Sequence, residues 1–178
     1  MLSLKRALLE ARKECEPAIG PDGTGTEEDP NIKIDCLYNG DIDIVSIGTN
    51  WLDDERRNKY KELLQTGKVK ELPWPFANNP DDRVIFIPRK ERDARKVIKL
   101  RDTVWDKLET AEAPWYHYVY GKLMGYPEAN IKGYYRRQIA SPAGSVWYQK
   151  QFGKRVIRDI NDFFSSMKSA GEDWIRRN

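Results

Sequence analysis

The stretch from Asn31 to Gly48 constrains this chain more than any other. NIKIDCLY alternates apolar with polar residues, DIDIVSIG does the same, and Asn39-Gly40 stands between them. Alternation with period two is the pattern of a strand, and Asn-Gly tolerates the positive φ angles of a two-residue type I′ turn. The stretch therefore predicts a β-hairpin over 31–48. Such a turn sets the register, with Tyr38 opposite Asp41, Cys36 opposite Asp43, Ile34 opposite Val45 and Ile32 opposite Ile47. Leu37, Ile42 and Ile44 fall on the other side, so both faces are apolar and the hairpin belongs inside a sheet covered on both sides.

The segments that follow extend the pattern. Asp53-Asp54-Glu55 puts acids where a helix begins, with Asn50 as a cap and Gly67 as a stop. ELPWPFANNPDD reads as an irregular connection whose Trp74 and Phe76 cover a core edge or form a lid. RVIFIP at 83–88 reads as a short strand. A helix from Lys90 to Glu109 follows, with Ala94, Val97, Ile98, Arg101, Val104, Trp105 and Leu108 on one face and Lys96 outside. Strand 41–48, helix 53–66, strand 83–88 and helix 90–109 make a β-α-β-α order, which favours parallel strands joined by right-handed crossovers. The hairpin then makes the sheet mixed. From Ser145 to Arg177 an apolar stripe recurs every three or four residues, with Gly171 ending the helix and Trp174 in a tail. Residues 3–15 read as a helix capped by Ser3, and residues 17–30 as a Gly-, Pro- and acid-rich loop.

The expected fold class is α/β. It is a single domain with a mixed sheet, built from a β-hairpin plus a β-α-β-α unit, and with a helix-rich C-terminal half. Residues 1–30 supply helix and loop, 31–109 the hairpin and β-α-β-α unit, and 114–178 an aromatic and basic helical part. A chain of 178 residues is long enough to bury one core.

Composition excludes several classes. No apolar run approaches the ~20 residues of a membrane span, and the first fifteen residues lack the core and cleavage site of a signal peptide. Cys15 and Cys36 are too few for a disulfide framework or a cysteine zinc site, so the expectation is a soluble chain in a reducing cytoplasm. Charge is uneven: residues 1–88 hold 12 Lys/Arg against 17 Asp/Glu, residues 89–178 hold 19 against 11. A basic second half suits an anionic partner, nucleic acid or nucleotide, although solvated helix faces produce the same bias.

The densest chemistry lies in Pro114 to Gln138, PWYHYVYGKLMGYPEANIKGYYRRQ, which contains the only histidine and six tyrosines. His117 reads as a packed and hydrogen-bonded ring, as a general acid/base in a tyrosine-lined pocket, or as a metal ligand. No second histidine supports the last reading, and the metal and cofactor expectation is none. Gly121 removes bulk beside His117, which signals close approach of a helix or a ligand. Tyr116, Tyr120, Tyr126, Tyr134 and Tyr135 interleave with Lys122, Lys132, Arg136 and Arg137. Tyrosines and cations so mixed can stack bases and neutralise phosphates. Arg89, after a strand, is a further candidate contact. Asp41 and Asp43 form a D-x-D pair that can hold a divalent cation, or are solvated acids at a hairpin tip.

His117, Gly121, Leu123, Met124, Gly125, Tyr126, Pro127 and Glu128 form H-x-x-x-G-x-L-M-G-Y-P-E. This is similar to H-x-x-x-G-x-L-L-G-Y-P-E-C-C, a helix-turn motif of a poorly characterised family in archaea and some viruses. The resemblance covers about residues 83–139. It implies an α/β fold and a site near His117, and it supplies no reaction. Ala129 and Asn130 stand where the family pattern has paired cysteines, so a thiol or metal role tied to those cysteines is absent here.

Three function classes remain. One is a nucleic-acid-associated accessory protein, viral or archaeal. The second is a small-anion or nucleotide-binding enzyme with a site around His117. The third is a protein–protein inhibitor or adaptor. No Walker loop, dinucleotide fingerprint or nucleophile–base pair decides between enzyme and binder. The helix over 145–170 is a candidate homo-oligomer contact.

Overall fold

The computed structural model describes residue 15 and residues 29–74, 80–109, 113–140 and 160–178. Among them are six α-helices and one three-stranded sheet. The chain is α/β with a helix-rich C-terminal half. It groups into two compact units, residues 29–98 with Cys15 and residues 99–178. No described helix is long and apolar enough to cross a membrane. The expected helix at 3–14, most of the 17–30 loop, Phe76, the side chains of 104–109 and the 145–159 part of the last helix lie outside the described residues.

In the first unit a helix stands where the alternation predicts a strand. Helix α1 spans Pro30–Asn39. The Asp29 carboxylate accepts from the Asn31 backbone N–H at 2.9 Å, and Pro30 sits in the first turn, where no N–H is needed. Gly40, at φ 79°, closes the other end in the left-handed region and donates its N–H back to the last turn. A left-handed glycine serves a helix C-cap as well as a type I′ turn. The deciding signal is therefore Asp29-Pro30, which lies outside the alternating window. The helical period sends Ile34 and Leu37 into the core and leaves Ile32 43% exposed. Only the second arm of the expected hairpin is a strand, β1, Ile44–Gly48.

A short 3₁₀ turn, Thr49–Trp51, leads to α2, Asp54–Gln65. Asp53, not Asn50, caps it, accepting from the Arg56 N–H at 2.8 Å. Strands β2, Lys70–Pro73, and β3, Asp82–Phe86, complete a sheet of order β1-β3-β2. β3 pairs antiparallel with both neighbours, Val45 lying opposite Ile85 and Glu71 opposite the same residue on the other edge. The sheet is thus antiparallel at every pairing and not mixed. β1 and β2 run the same way on either side of β3, joined through α2, so the crossover partner of β1 is β2 and not the 83–88 strand. β2 is short, polar and ends at a proline, all features of an edge strand, and it leaves little periodic signal. Ile34, Leu37, Val45, Ile47, Leu52, Leu63, Val69 and Ile85 form the core. Cys36, 3% exposed, is joined to Cys15 by a disulfide with Cα atoms 5.6 Å apart. The reading of two reduced thiols does not hold in this structure.

Helix α3, Glu91–Glu109, starts in the first unit and continues into the second. Ala94, Val97 and Leu100 are fully buried, and Lys96 is buried as well, although its place in the pattern is on the outer face. The second unit adds α4, Tyr116–Leu123, α5, Glu128–Ala140, and α6, Ile160–Arg177, which pack on one another. Two glycines set how closely they approach. A Cβ on Gly121 would lie 2.8 Å from Ile131 Cγ1, and one on Gly171 would lie 2.5 Å from Tyr118 Cδ1. Gly171 is therefore a packing position inside α6, not its end, and Trp174 lies on the helix with its ring 6.1 Å from Trp115. Phe163, Phe164 and Met167 of the apolar stripe are buried within the chain itself.

Candidate functional site

α4 and α5 bring His117 against a set of tyrosines. Its ring lies 4.5 Å from that of Tyr134, 5.3 Å from Tyr116 and 6.4 Å from Tyr135. Burial lowers the His117 pKa to about 4, so the imidazole is neutral at physiological pH. Burial also pushes the Tyr134 hydroxyl up to about 12, so that group keeps its proton. The Tyr134 hydroxyl and His117 Nε2 are 3.2 Å apart and share a hydrogen bond whose direction follows the tautomer of the neutral ring. A neutral ring is not the imidazolium that acts as a general acid, and it keeps a lone pair with which to accept a proton.

Tyr135 does different work. Its hydroxyl donates to the Pro114 carbonyl at 2.7 Å and accepts the Tyr118 backbone N–H at 3.1 Å, both fully buried. Tyr118 is in the first turn of α4, whose N–H groups have no partner within the helix. Trp115, at the capping position, offers no side-chain bond. The α5 tyrosine thus replaces the missing cap. Tyr116 stacks on Tyr120 at 6.1 Å and hydrogen-bonds Arg101, and Tyr120 meets the edge of Tyr126 at 6.3 Å. Tyr116, Tyr118 and Tyr135 are at most 3% exposed. Half of the six tyrosines form an internal brace, while Tyr120, Tyr126 and Tyr134 lie partly at the surface.

The expected cations separate. Arg89 belongs to the first unit, where its guanidinium lies 3.0 Å from both oxygens of Asp43. That contact occupies Asp43, and Asp41 precedes β1, so the two acids do not share a strand face as a D-x-D pair on a hairpin would. Arg137 packs near Tyr134, with its Nε buried and without a hydrogen bond. Lys122 and Arg136 are exposed. Lys132 follows Glu128 by four residues and precedes Arg136 by four, so the three share one face of α5.

That face meets α6 across a cleft of about 340 Å³, walled by Glu128, Ala129 and Lys132 on one side and Asn161, Ser165 and Lys168 on the other, with Phe164 beside them. Lys132 Nζ donates to Asn161 Oδ1 and lies 5.9 Å from the Phe164 ring centroid. Lys168 Nζ is 2.9 Å from both Glu128 oxygens, and that bond raises its pKa, so it stays charged. Of these residues the sequence reading singled out Lys132 alone as a contact. Lys168 and Glu128 are 40 residues apart, and no local pattern links them. Among the described residues no group of three His, Cys, Asp or Glu side chains converges as a metal site would require.

The fold and this surface define an α/β chain whose helical unit carries a cation-bearing cleft. No family model, curated protein or solved structure matches the chain.

Proposed function

We propose that the second unit binds a polyanionic partner, nucleic acid, through the cations of α5 and of its neighbour α4. The run of cations without carboxylate partners on α4 and α5 carries the reading. In the first unit Arg56, Arg57, Lys59, Lys70, Arg83, Arg89, Lys90 and Arg95 have carboxylate partners, while Lys61, Lys68 and Arg92 have none among the described residues. Lys122, Lys132, Arg136 and Arg137 have none among the described residues. Cations left without counter-charges on one helix pair are the electrostatic footprint of a phosphate backbone. The tyrosines beneath them give rigidity and few open faces for stacking, so the contact is to phosphates more than to bases.

The test is fluorescence anisotropy with a labelled single-stranded oligonucleotide at several salt concentrations. Nonspecific affinity of roughly 10⁻⁴ to 10⁻⁶ M is expected, falling steeply with salt. Lys132→Ala and Arg136→Ala each weaken binding to all sequences and flatten the logarithmic salt slope by about 0.7. No binding at low salt, or binding indifferent to both substitutions, refutes the proposal.

A further inference from the structure

The α5/α6 cleft is built for more than a passing backbone phosphate. Glu128 and Lys132 are four residues apart on α5, while Asn161, Ser165 and Lys168 follow a four-and-three spacing on α6, so one row faces the other. Ala129 and Ser165 are short, and they leave the space between the rows unfilled. Two ammonium groups enter it from opposite walls. Lys168 is held by Glu128, whereas Lys132 is held only by the Asn161 amide oxygen and the Phe164 ring. The Ser165 hydroxyl has no intramolecular partner among the described residues. The donors outnumber the acceptors: Glu128 is the one carboxylate lining the cleft against two cations, and Glu172 also acts on Lys168.

We propose that this cleft binds a dianionic phosphomonoester, with Lys132, Lys168 and Ser165 as ligands and Glu128 as the counter-charge that the phosphate displaces. This deepens the polyanion reading and rests on it by naming the group the same surface prefers. A phosphodiester carries one negative charge and matches Lys132 alone. A monoester at pH 7 carries nearly two and has three acceptor oxygens, which matches both lysines and the hydroxyl. Glu128, 42% exposed at its side chain, can turn to solvent when the phosphate replaces it at Lys168. The monoester is either the terminal phosphate of a nucleic acid or a small phosphorylated compound.

Two oligonucleotides of one sequence, with a 5′-phosphate or a 5′-hydroxyl end, are compared by anisotropy on the full chain. Inorganic phosphate is titrated separately by NMR on the wild type, Lys132→Gln and Glu128→Gln. The expected result is tighter binding of the phosphorylated end, loss of that preference in Lys132→Gln, and phosphate binding strengthened about fivefold or more in Glu128→Gln, the order expected for removing one like charge roughly 4 Å away in water. A merely structural Glu128–Lys168 pair predicts no gain. If both oligonucleotides bind equally and phosphate leaves the cleft signals unmoved, the polyanion reading stands and the cleft proposal is overturned. If neither oligonucleotide binds while phosphate shifts the Lys132 and Ser165 signals, the ligand is a small phosphorylated compound and the polyanion reading fails instead. If phosphate shifts nothing and no oligonucleotide binds, both are overturned. Thermal unfolding of each variant confirms that it is folded.

Discussion

Replacing Tyr135 with phenylalanine removes one oxygen and almost no volume, so it isolates the polar role of that residue. Tyr135 is fully buried, and its hydroxyl satisfies two backbone groups, the Pro114 carbonyl at 2.7 Å and the Tyr118 N–H at 3.1 Å. Water cannot take over at a site with no exposure. A buried polar group left unpaired costs roughly 1–3 kcal/mol, so two of them predict a loss of about 2–6 kcal/mol. Tyr134→Phe is the control, since its hydroxyl makes one part-buried bond to His117 and its loss should cost about 1 kcal/mol. Urea denaturation followed by tryptophan fluorescence and circular dichroism reads the difference as a lower midpoint at unchanged slope. Trp115 and Trp174 report on the second unit directly. Tyr135→Phe costing no more than Tyr134→Phe, or less than about 0.5 kcal/mol, would show that Tyr135 does not cap α4, and the reasoning would fail.

Two further tests concern protonation and redox state. His117 has its folded pKa lowered by burial to about 4 against 6.5 when free, so the unfolded chain binds the extra proton between those values. Its contribution is complete above pH 6.5 and is lost as pH falls toward 4, about 3 kcal/mol in all, and His117→Gln should flatten that part of the stability–pH curve. An imidazole NMR signal titrating near 6.5 in the folded protein would contradict this. The Cys15–Cys36 bond closes a loop of sequence separation 21, for which chain entropy predicts about 3 kcal/mol of stabilisation. Reductant should lower the unfolding midpoint, and the denatured, unreduced chain should show no thiol. Finding two reactive thiols refutes the bond.

Much of the helical architecture was legible because amphipathic period is written locally. The stripe Ala94, Val97, Ile98 needs no distant partner to declare a helix face, and α3 stands where that period places it, with Leu100 buried beside it. Acids at Asp53 to Glu55 likewise marked the start of α2, though the cap was one of the acids themselves. The alternation in 31–38 misled because apolar residues at even positions satisfy a strand, while Ile34 and Leu37 also satisfy a helix. A window that short is decided at its ends, by the Asp29 cap and the Gly40 closure. β2 escaped notice for the opposite reason, being too polar and brief to show any period.

The chemistry of the Pro114–Gln138 stretch divides along the same line. The sequence alone determined that histidine, tyrosines and cations are concentrated there, and that Gly121 has no side chain to fill the space beside it. Only the tertiary structure decided that Tyr116, Tyr118 and Tyr135 turn inward, that Tyr135 completes the first turn of α4, and that Lys132 looks across a cleft at Lys168. Periodicity states which residues share a face. What lies opposite that face depends on segments tens of residues away, and hydrogen-bond partners and pKa values depend on ångström distances that no local pattern carries.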